Sequence, residues 1–333
     1  MDGIVLICDQ VSNRENVNNF TTNLEFTSNV YYNALHSAAK ELADKVTVYQ
    51  SPSEFEKNIQ KHINDIIFTA IWSGELSRNR KAILPAICET NGLLYVGADA
   101  YVQSISQDKD LSKIHARQFG MKSANGVKVT CEQDLLLLKG LKYPVVVKPN
   151  FEEGSIGISD NSLKYTCTEA AELTKKLLPV YGCILVEEFI GGIEVAICIA
   201  GSSHNIALCE VVALQIDGEM ISDRIWGYES KKNSKALVEK KIITDSVPQH
   251  VLDMAKKIFK SLGKVDYMRI DGNIVNNEFY LIKYTPDCSL HPDCFMYRSF
   301  LYNHKSYAEM LSKFIDCAKQ NLKYNRFPRN LTL

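Results

Sequence analysis

The chain has no run of the roughly 20 apolar residues that a membrane span requires, and no excess charge of either sign. Its 333 residues carry 38 Lys and Arg against 39 Asp and Glu, so no basic face for nucleic acid or an anionic membrane is expected. The short run Lys231-Lys232-Asn233-Ser234-Lys235 fits a solvated loop. Internal repeats and low-complexity linkers are missing, as is any C-x-x-C pair among the ten cysteines. Several cysteines, including Cys8, Cys183 and Cys198, lie in apolar runs, where reduced, buried thiols are expected. Met1 to Cys8 lacks the basic start and long apolar core of a signal peptide. These absences predict a cytoplasmic protein with free thiols that acts on small molecules.

What is present is an ordinary globular composition, 46% apolar and 23% charged, in a chain long enough for two or three domains. Strands are expected at Gly3–Cys8, Val46–Tyr49 and Ile66–Trp72, and helices at Asn29–Leu42, Glu54–Ile63 and Arg80–Asn91. This βαβ alternation predicts a parallel sheet with helices on its faces. A helix over Lys109–Phe119 should stop at Gly120. Beyond it, Gly126–Val129 and Val145–Pro149 look like antiparallel strands around a helix over Glu132–Leu138. Further strands are expected at Cys183–Glu188, Glu194–Ala200, Asn205–Val212, Tyr267–Val275 and Glu278–Tyr284, and helices at Val251–Leu262 and Tyr307–Asn321. Asn276-Asn277 tolerate the positive φ of a tight turn between the last two strands. The expectation is an α/β domain over residues 1–104 followed by two α+β lobes, 105–182 and 183–333.

Chemistry concentrates in the two lobes. Tyr143-Pro144-Val145-Val146-Val147-Lys148-Pro149 delivers a lysine at the end of a buried strand, which is costly unless the ammonium meets an anion. Soon after comes Gly154-Ser155-Ile156-Gly157-Ile158. Its glycines let backbone N–H groups approach a polyphosphate, and the Ser155 hydroxyl is an added donor. The same residues also fit a β-hairpin with a surface lysine. Arg269 and Asp271, two apart, share one face of a strand; the planar guanidinium suits a carboxylate or acyl-phosphate oxygen, and the two residues also fit a plain strand ion pair.

In order along the chain these segments resemble the D-alanine–D-alanine ligase branch of the ATP-grasp superfamily. Lys109-Asp110-Leu111-Ser112-Lys113 after Asp108 is similar to its D-K-x-x-x-K helix, and Lys148-Pro149 with Gly154–Ile158 to its V-K-P strand and phosphate loop. Leu185 to Glu194 resembles the hinge-and-ribose motif, Tyr228-Glu229-Ser230-Lys231 the closing loop, and Arg269-Ile270-Asp271 the start of the metal motif. The resemblance implies a Rossmann-like domain ahead of a two-lobed ATP-grasp fold, with ATP between the lobes. Lys109, Lys148 and Lys231 would then hold phosphates under a loop shaped by Ser155 and Gly157. Glu187, Glu188, Phe189 and Ile190 would line the adenine, and Glu194 the ribose. Arg269, Lys231 and Ser155 would serve catalysis, and Asp271 would hold Mg2+. Ser77, before Arg78-Asn79-Arg80, and Glu25 match substrate-side positions loosely; Ser77 equally fits a helix N-cap. The implied activity is an ATP-dependent carboxylate–amine ligase for amino-acid-like substrates that releases ADP and phosphate. Family analogy adds a homodimer through the first domain.

The pattern departs from the family at Lys283-Tyr284-Thr285-Pro286, where the branch has E-x-N-P. Asp271 is left facing a lysine and a threonine instead of a carboxylate and an amide. Two outcomes follow. Asp287, Asp293 or another carboxylate replaces the missing ligands, or Lys283 itself neutralises phosphate, and a ligase with one or weak Mg2+ persists; alternatively the chain is a nucleotide-binding pseudo-ligase with a regulatory or scaffold role. His291, in the rewritten stretch Asp287-Cys288-Ser289-Leu290-His291, is a surface residue or a substrate contact.

Overall fold

The computed structural model describes residues 2–8, 27–71, 78–222 and 238–325; Glu25, Ser77 and Tyr228 to Lys231 lie outside them. The first unit is built from β1 (Ile4–Cys8), α1 (Asn29–Leu42), β2 (Val46–Tyr49), α2 (Pro52–Glu56), β3 (Ile66–Ile71), α3 (Ile83–Thr90), β4 (Leu94–Val96) and α4 (Ala100–Gln107). Its strands form a parallel sheet in the order β2-β1-β3-β4. β1 is buried along its whole length because helices cover both faces. Ile4, Leu6 and Cys8 pack with Leu35 and Ala38 of α1, while Val5 and Ile7 pack with Phe55 and Leu84 on the other side.

Two helices differ from expectation. The segment Glu54–Ile63 is not one helix: α2 ends at Glu56 and a 3-10 turn spans Ile59–His62. That turn sets the His62 ring in the core, 2.7 Å from both the Tyr49 hydroxyl and Asp65. Arg80–Ala82 is also a 3-10 turn, ahead of α3. Pro85 has no N–H to donate to the Lys81 carbonyl, so regular α-helical bonding starts late.

The second unit contains α5 (Lys109–Arg117), β5 (Lys122–Ser123), β6 (Gly126–Val129), β7 (Val145–Pro149), β8 (Leu163–Lys164), α6 (Cys167–Tyr181) and β9 (Ile184–Glu188). Its sheet order is β6-β9-β7-β8. β6 and β7, which the sequence suggests are antiparallel to one another, are not paired; each lies antiparallel to β9, which comes between them. A central lobe drawn at 105–182 leaves out this strand, which completes its sheet. Residues Glu132–Gly140 form a 3-10 helix, with Leu136 and Leu137 exposed. The helix α6, which has its own capping box at Thr166 and Glu169, had no counterpart in the sequence reading.

The third unit comprises β10 (Ile193–Gly201), β11 (Ile206–Ile216), β12 (Glu219–Met220), β13 (Val238–Ile242), α7 (Gln249–Ser261), β14 (Tyr267–Val275), β15 (Glu278–Pro286), α8 (Phe295–Tyr302) and α9 (Tyr307–Asn325). The sheet runs β12-β11-β10-β14-β15-β5, with β13 on β11. One face packs Val195, Ile197, Met268 and Ile270 against Val251, Ala255 and Ile258 of α7. The other face splits. Cys198, Ala200 and Tyr267 enter a core shared with β1, α1 and α9, while Glu194, Ala196, Asp271 and Asn273 open onto a pocket. Among the described residues no helix is long and apolar enough to cross a membrane. All ten cysteines are free, with Cys8, Cys183 and Cys198 buried.

Candidate active site

The pocket encloses about 250 Å³ between the second and third sheets. Strand periodicity chooses its walls. On β7, Val145 and Val147 point into the core beneath α6, so Val146 and Lys148 face the pocket. On β9, opposite Val146, the same alternation presents Glu187. α5 adds Lys109 to the walls, while Lys113, one turn on along the same face, lies behind the lining against Glu187. Its start is tied to the end of β7: Asp108 caps the Asp110 and Leu111 N–H groups at 3.1 Å, and Asn150 donates to Asp108 at 2.8 Å.

Three buried lysines converge there. Lys148 and Lys113 both ion-pair with Glu187. The Lys109 ammonium donates to the carbonyls of Pro149 at 2.9 Å and Asn150 at 3.1 Å, and to that of Glu152. Burial, then the charge of Lys283, lowers the Lys109 pKa to about 7. Burial, then Lys109 and Arg117, lowers Lys113 to about 7. Lys148 lies well below the usual lysine value through burial, Lys113, Lys109 and Lys283. Such mutual repulsion is relieved by an anion carrying several charges.

The loop above them bends through positive φ at Gly154, Ser155 and Gly157. A Cβ at Gly157 would stand 2.6 Å from Pro149 Cγ, so glycine lets the loop lie against the strand end. Ser155 lines the pocket and Gly157 does not. Two contacts that sequence reasoning missed fasten the loop to the first unit. Arg80 reaches Glu152 at 3.1 Å, and Lys81 pairs with Glu153. Burial would raise the Glu153 carboxyl, but Lys81 and then Lys283 hold it at about 2.

The opposite end of the pocket is apolar, lined by Ala124, Val146, Val195, Leu214 and Leu281, and edged by the connection from Glu188 to Ile190. Glu188 accepts from the Lys142 N–H and the Asn125 amide, both at 3.0 Å. Asn273 holds the Ile190 carbonyl at 2.6 Å. The Phe189 N–H is used by the Pro144 carbonyl at 2.9 Å. The Ile190 N–H has no acceptor among the described residues. Glu194 lies beside this edge, opposite Asn273.

On the floor, Arg269 and Asp271 form the strand ion pair, through Arg269 Nε and through Nη2 at 3.0 Å. Thr285 donates to the same carboxylate at 3.0 Å. Burial would raise the Asp271 pKa, but Arg269 outweighs it and holds the carboxyl below its usual range. Directly across on β15 sits Lys283. The carboxylates expected to replace missing metal ligands are elsewhere. Asp287 accepts from the Ala98 N–H and Gln103, both at 2.8 Å, and Asp293 is exposed and paired with Lys240 and Arg298. Both lie outside the pocket lining, as does half-buried His291, which accepts from the Asp293 N–H at 3.0 Å.

An octahedral Mg2+ needs available carboxylate oxygens. Both oxygens of Asp271 are engaged and an ammonium faces them, and the described residues contain no group of three His, Cys, Asp or Glu able to hold a metal. The residues present do not fit a divalent ion at this strand pair.

The family model of the D-Ala–D-Ala ligase C-terminus matches residues 115–285, just over half of the chain. The chain belongs to the D-Ala–D-Ala ligase family. It is 28% identical over 257 residues to a D-alanine–D-alanine ligase of Pelagibacter ubique, covering 74% of this chain and 79% of that one. The fold, an α/β domain ahead of a two-lobed ATP-grasp unit, matches the Bacillus anthracis D-alanine–D-alanine ligase solved with ATP. That match has a TM-score of 0.73 at 16% identity and covers 98% and 99% of the two chains. The VanG D-Ala:D-Ser ligase of Enterococcus faecalis matches with a TM-score of 0.68 at 17% identity, over 95% and 99% of the chains. Of the described residues that the resemblance assigned to nucleotide, catalysis or metal, all but Gly157 line this pocket, whereas the substitute ligands Asp287 and Asp293 and the substrate candidate His291 do not.

Proposed function

We propose that the protein is an ADP-forming carboxylate–amine ligase that joins two amino-acid-like substrates. The observation that carries this is the pocket's polarity: an apolar slot at one end, and at the other a glycine-bent loop with the buried Lys109 and Lys148, backed by Lys113. A nucleoside triphosphate has that shape and charge. Adenine would lie in the slot, its ring edge facing the Ile190 N–H, with Glu194 near the ribose hydroxyls. Lys109 and Lys148 would hold phosphate oxygens, Ser155 would donate from above, and Lys231 would belong to the segment that closes the site.

A substrate carboxylate oxygen attacks the γ-phosphorus and the bond to ADP breaks, giving an acyl-phosphate. The amine of the second substrate attacks the acyl carbon, loses a proton, and expels phosphate as the C–N bond forms. Arg269 Nη1 has no partner among the described residues, and a guanidinium N–H suits the oxyanion of that tetrahedral intermediate. Its grip on Asp271 fixes its orientation, which limits the reorganisation needed at the moment of reaction. Exclusion of water by closure protects the acyl-phosphate. Relatives include both D-Ala–D-Ala ligases and a D-Ala:D-Ser ligase, so the second amino acid is not fixed by the family.

The test is ADP and phosphate release from ATP with a panel of D- and L-amino acids, singly and in pairs. Release stimulated by amino acids, with a dipeptide in the product, supports the ligase. ATP binding without turnover under any pair overturns it in favour of a regulatory, nucleotide-binding role.

A further inference from the structure

Lys283 reaches the pocket through an irregularity. β14 and β15 pair Asp271 with Lys283 and Gly272 with Leu281, so Ile282 is an extra residue on β15. Such bulges re-aim side chains beside active sites. Here Leu281, Ile282 and Lys283 all line the pocket. The four carboxylates at the phosphate end have basic partners already: Glu152 has Arg80, Glu153 has Lys81, Glu187 has Lys113 and Lys148, and Asp271 has Arg269. Half-buried Lys283 has no hydrogen bond or ion pair among the described residues. Its charge nevertheless acts on Lys109, Lys148, Glu153 and Asp271, which places it amid the group that surrounds the loop.

We propose that the site binds its nucleotide polyphosphate as the metal-free anion, with the Lys283 ammonium standing where a divalent cation would otherwise neutralise the phosphates. A fixed ammonium opposite Asp271 supplies positive charge on the phosphate side of the carboxylate. It also repels a cation arriving with the nucleotide, and both oxygens of Asp271 are already held by Arg269 and Thr285. This deepens the ATP-site reading above and rests on it.

The experiment is calorimetric titration of ATP into the full chain, once in EDTA and once in excess Mg2+, for the wild type, Lys283→Met and Lys283→Glu. The wild type should bind ATP in EDTA at least as tightly as in Mg2+. Lys283→Met, which removes the charge and keeps a stem of similar length, should weaken binding in EDTA by about tenfold or more, and by less in Mg2+. Lys283→Glu should reverse the preference and make binding depend on Mg2+. Because Lys283 has no structural partner among the described residues, loss of fold is not expected, and circular dichroism of each variant checks it. Wild-type binding that weakens tenfold in EDTA would overturn the proposal and leave the ATP site standing. No binding in either condition would overturn both. Equal affinities for the wild type and Lys283→Met in EDTA would show that the ammonium does not touch the phosphates, and would also sink the idea.

Discussion

Lys109 and Lys113 have pKa values near 7, so in the protein alone at pH 8 each is mostly neutral. A bound polyphosphate favours the charged form, and the lysines must take up protons as it binds. Affinity for ATP should therefore fall as pH rises from about 7 to 9, the window above these lowered values and below the usual lysine range. ATP's own last phosphate proton leaves at the foot of that window and adds negative charge, so it works against the trend and does not produce it. Calorimetry at pH 8 in two buffers of different ionisation enthalpy reads the uptake directly. A binding heat independent of buffer would mean that the lysines keep their charge in the protein alone, and that Glu187 compensates both Lys113 and Lys148 more fully than their burial suggests.

At the scale of elements, the bulge in β15 sets which side chains meet the phosphates. Gly272 is pressed against it: a Cβ there would collide with the Phe279 ring and the Tyr280 carbonyl. Gly272→Ala should cost about 1–3 kcal/mol of stability, lower the urea midpoint, and weaken ATP binding by shifting Lys283 against Asp271. Unchanged affinity in a destabilised variant would show that the bulge is structural only. The bulge was not legible in the sequence, because Phe279 to Tyr284 has the look of a plain strand and register depends on the partner. The face shared by Arg269 and Asp271 was legible from their spacing, and the Asn276-Asn277 turn from residue type; both asparagines take positive φ, 50° and 64°. Lys148 at the end of three valines allowed a buried ammonium or a surface lysine, and the side chain is buried. Lys113 was available from its four-residue spacing to Lys109 and went unused. Arg80 with Glu152 and Lys81 with Glu153 are 72 residues apart, and no local signal pairs such residues. The order of strands in the second sheet was likewise hidden, since β9 inserts between strands that precede it in the chain.

Across the whole molecule, the first unit and the third are joined by a buried polar network as well as by the shared core. The Lys264 ammonium donates to the Tyr95 carbonyl at 3.2 Å, the Gly97 carbonyl at 2.7 Å and Asp266 at 2.6 Å, and it lies over the Tyr95 ring. Asp266, fully buried, also accepts from the Gly97 N–H at 2.8 Å and from Asn321 of α9 at 2.7 Å. One carboxylate thus connects the end of β4, the start of β14 and the closing helix. The loop that roofs the pocket is held to the same first unit by Arg80 and Lys81, so its position depends on this junction. Lys264→Met removes the cation and leaves the buried Asp266 without its charge partner, a change that costs about 3–5 kcal/mol when a buried pair is broken. If the units share one core, urea should unfold the variant in a single transition, at a lower midpoint and with an unchanged slope. ATP should raise that midpoint by as much as it raises the wild type's, since Lys264 lies away from the pocket lining. Two separated transitions, the first confined to the parallel sheet, would show instead that the first unit folds independently of the other two.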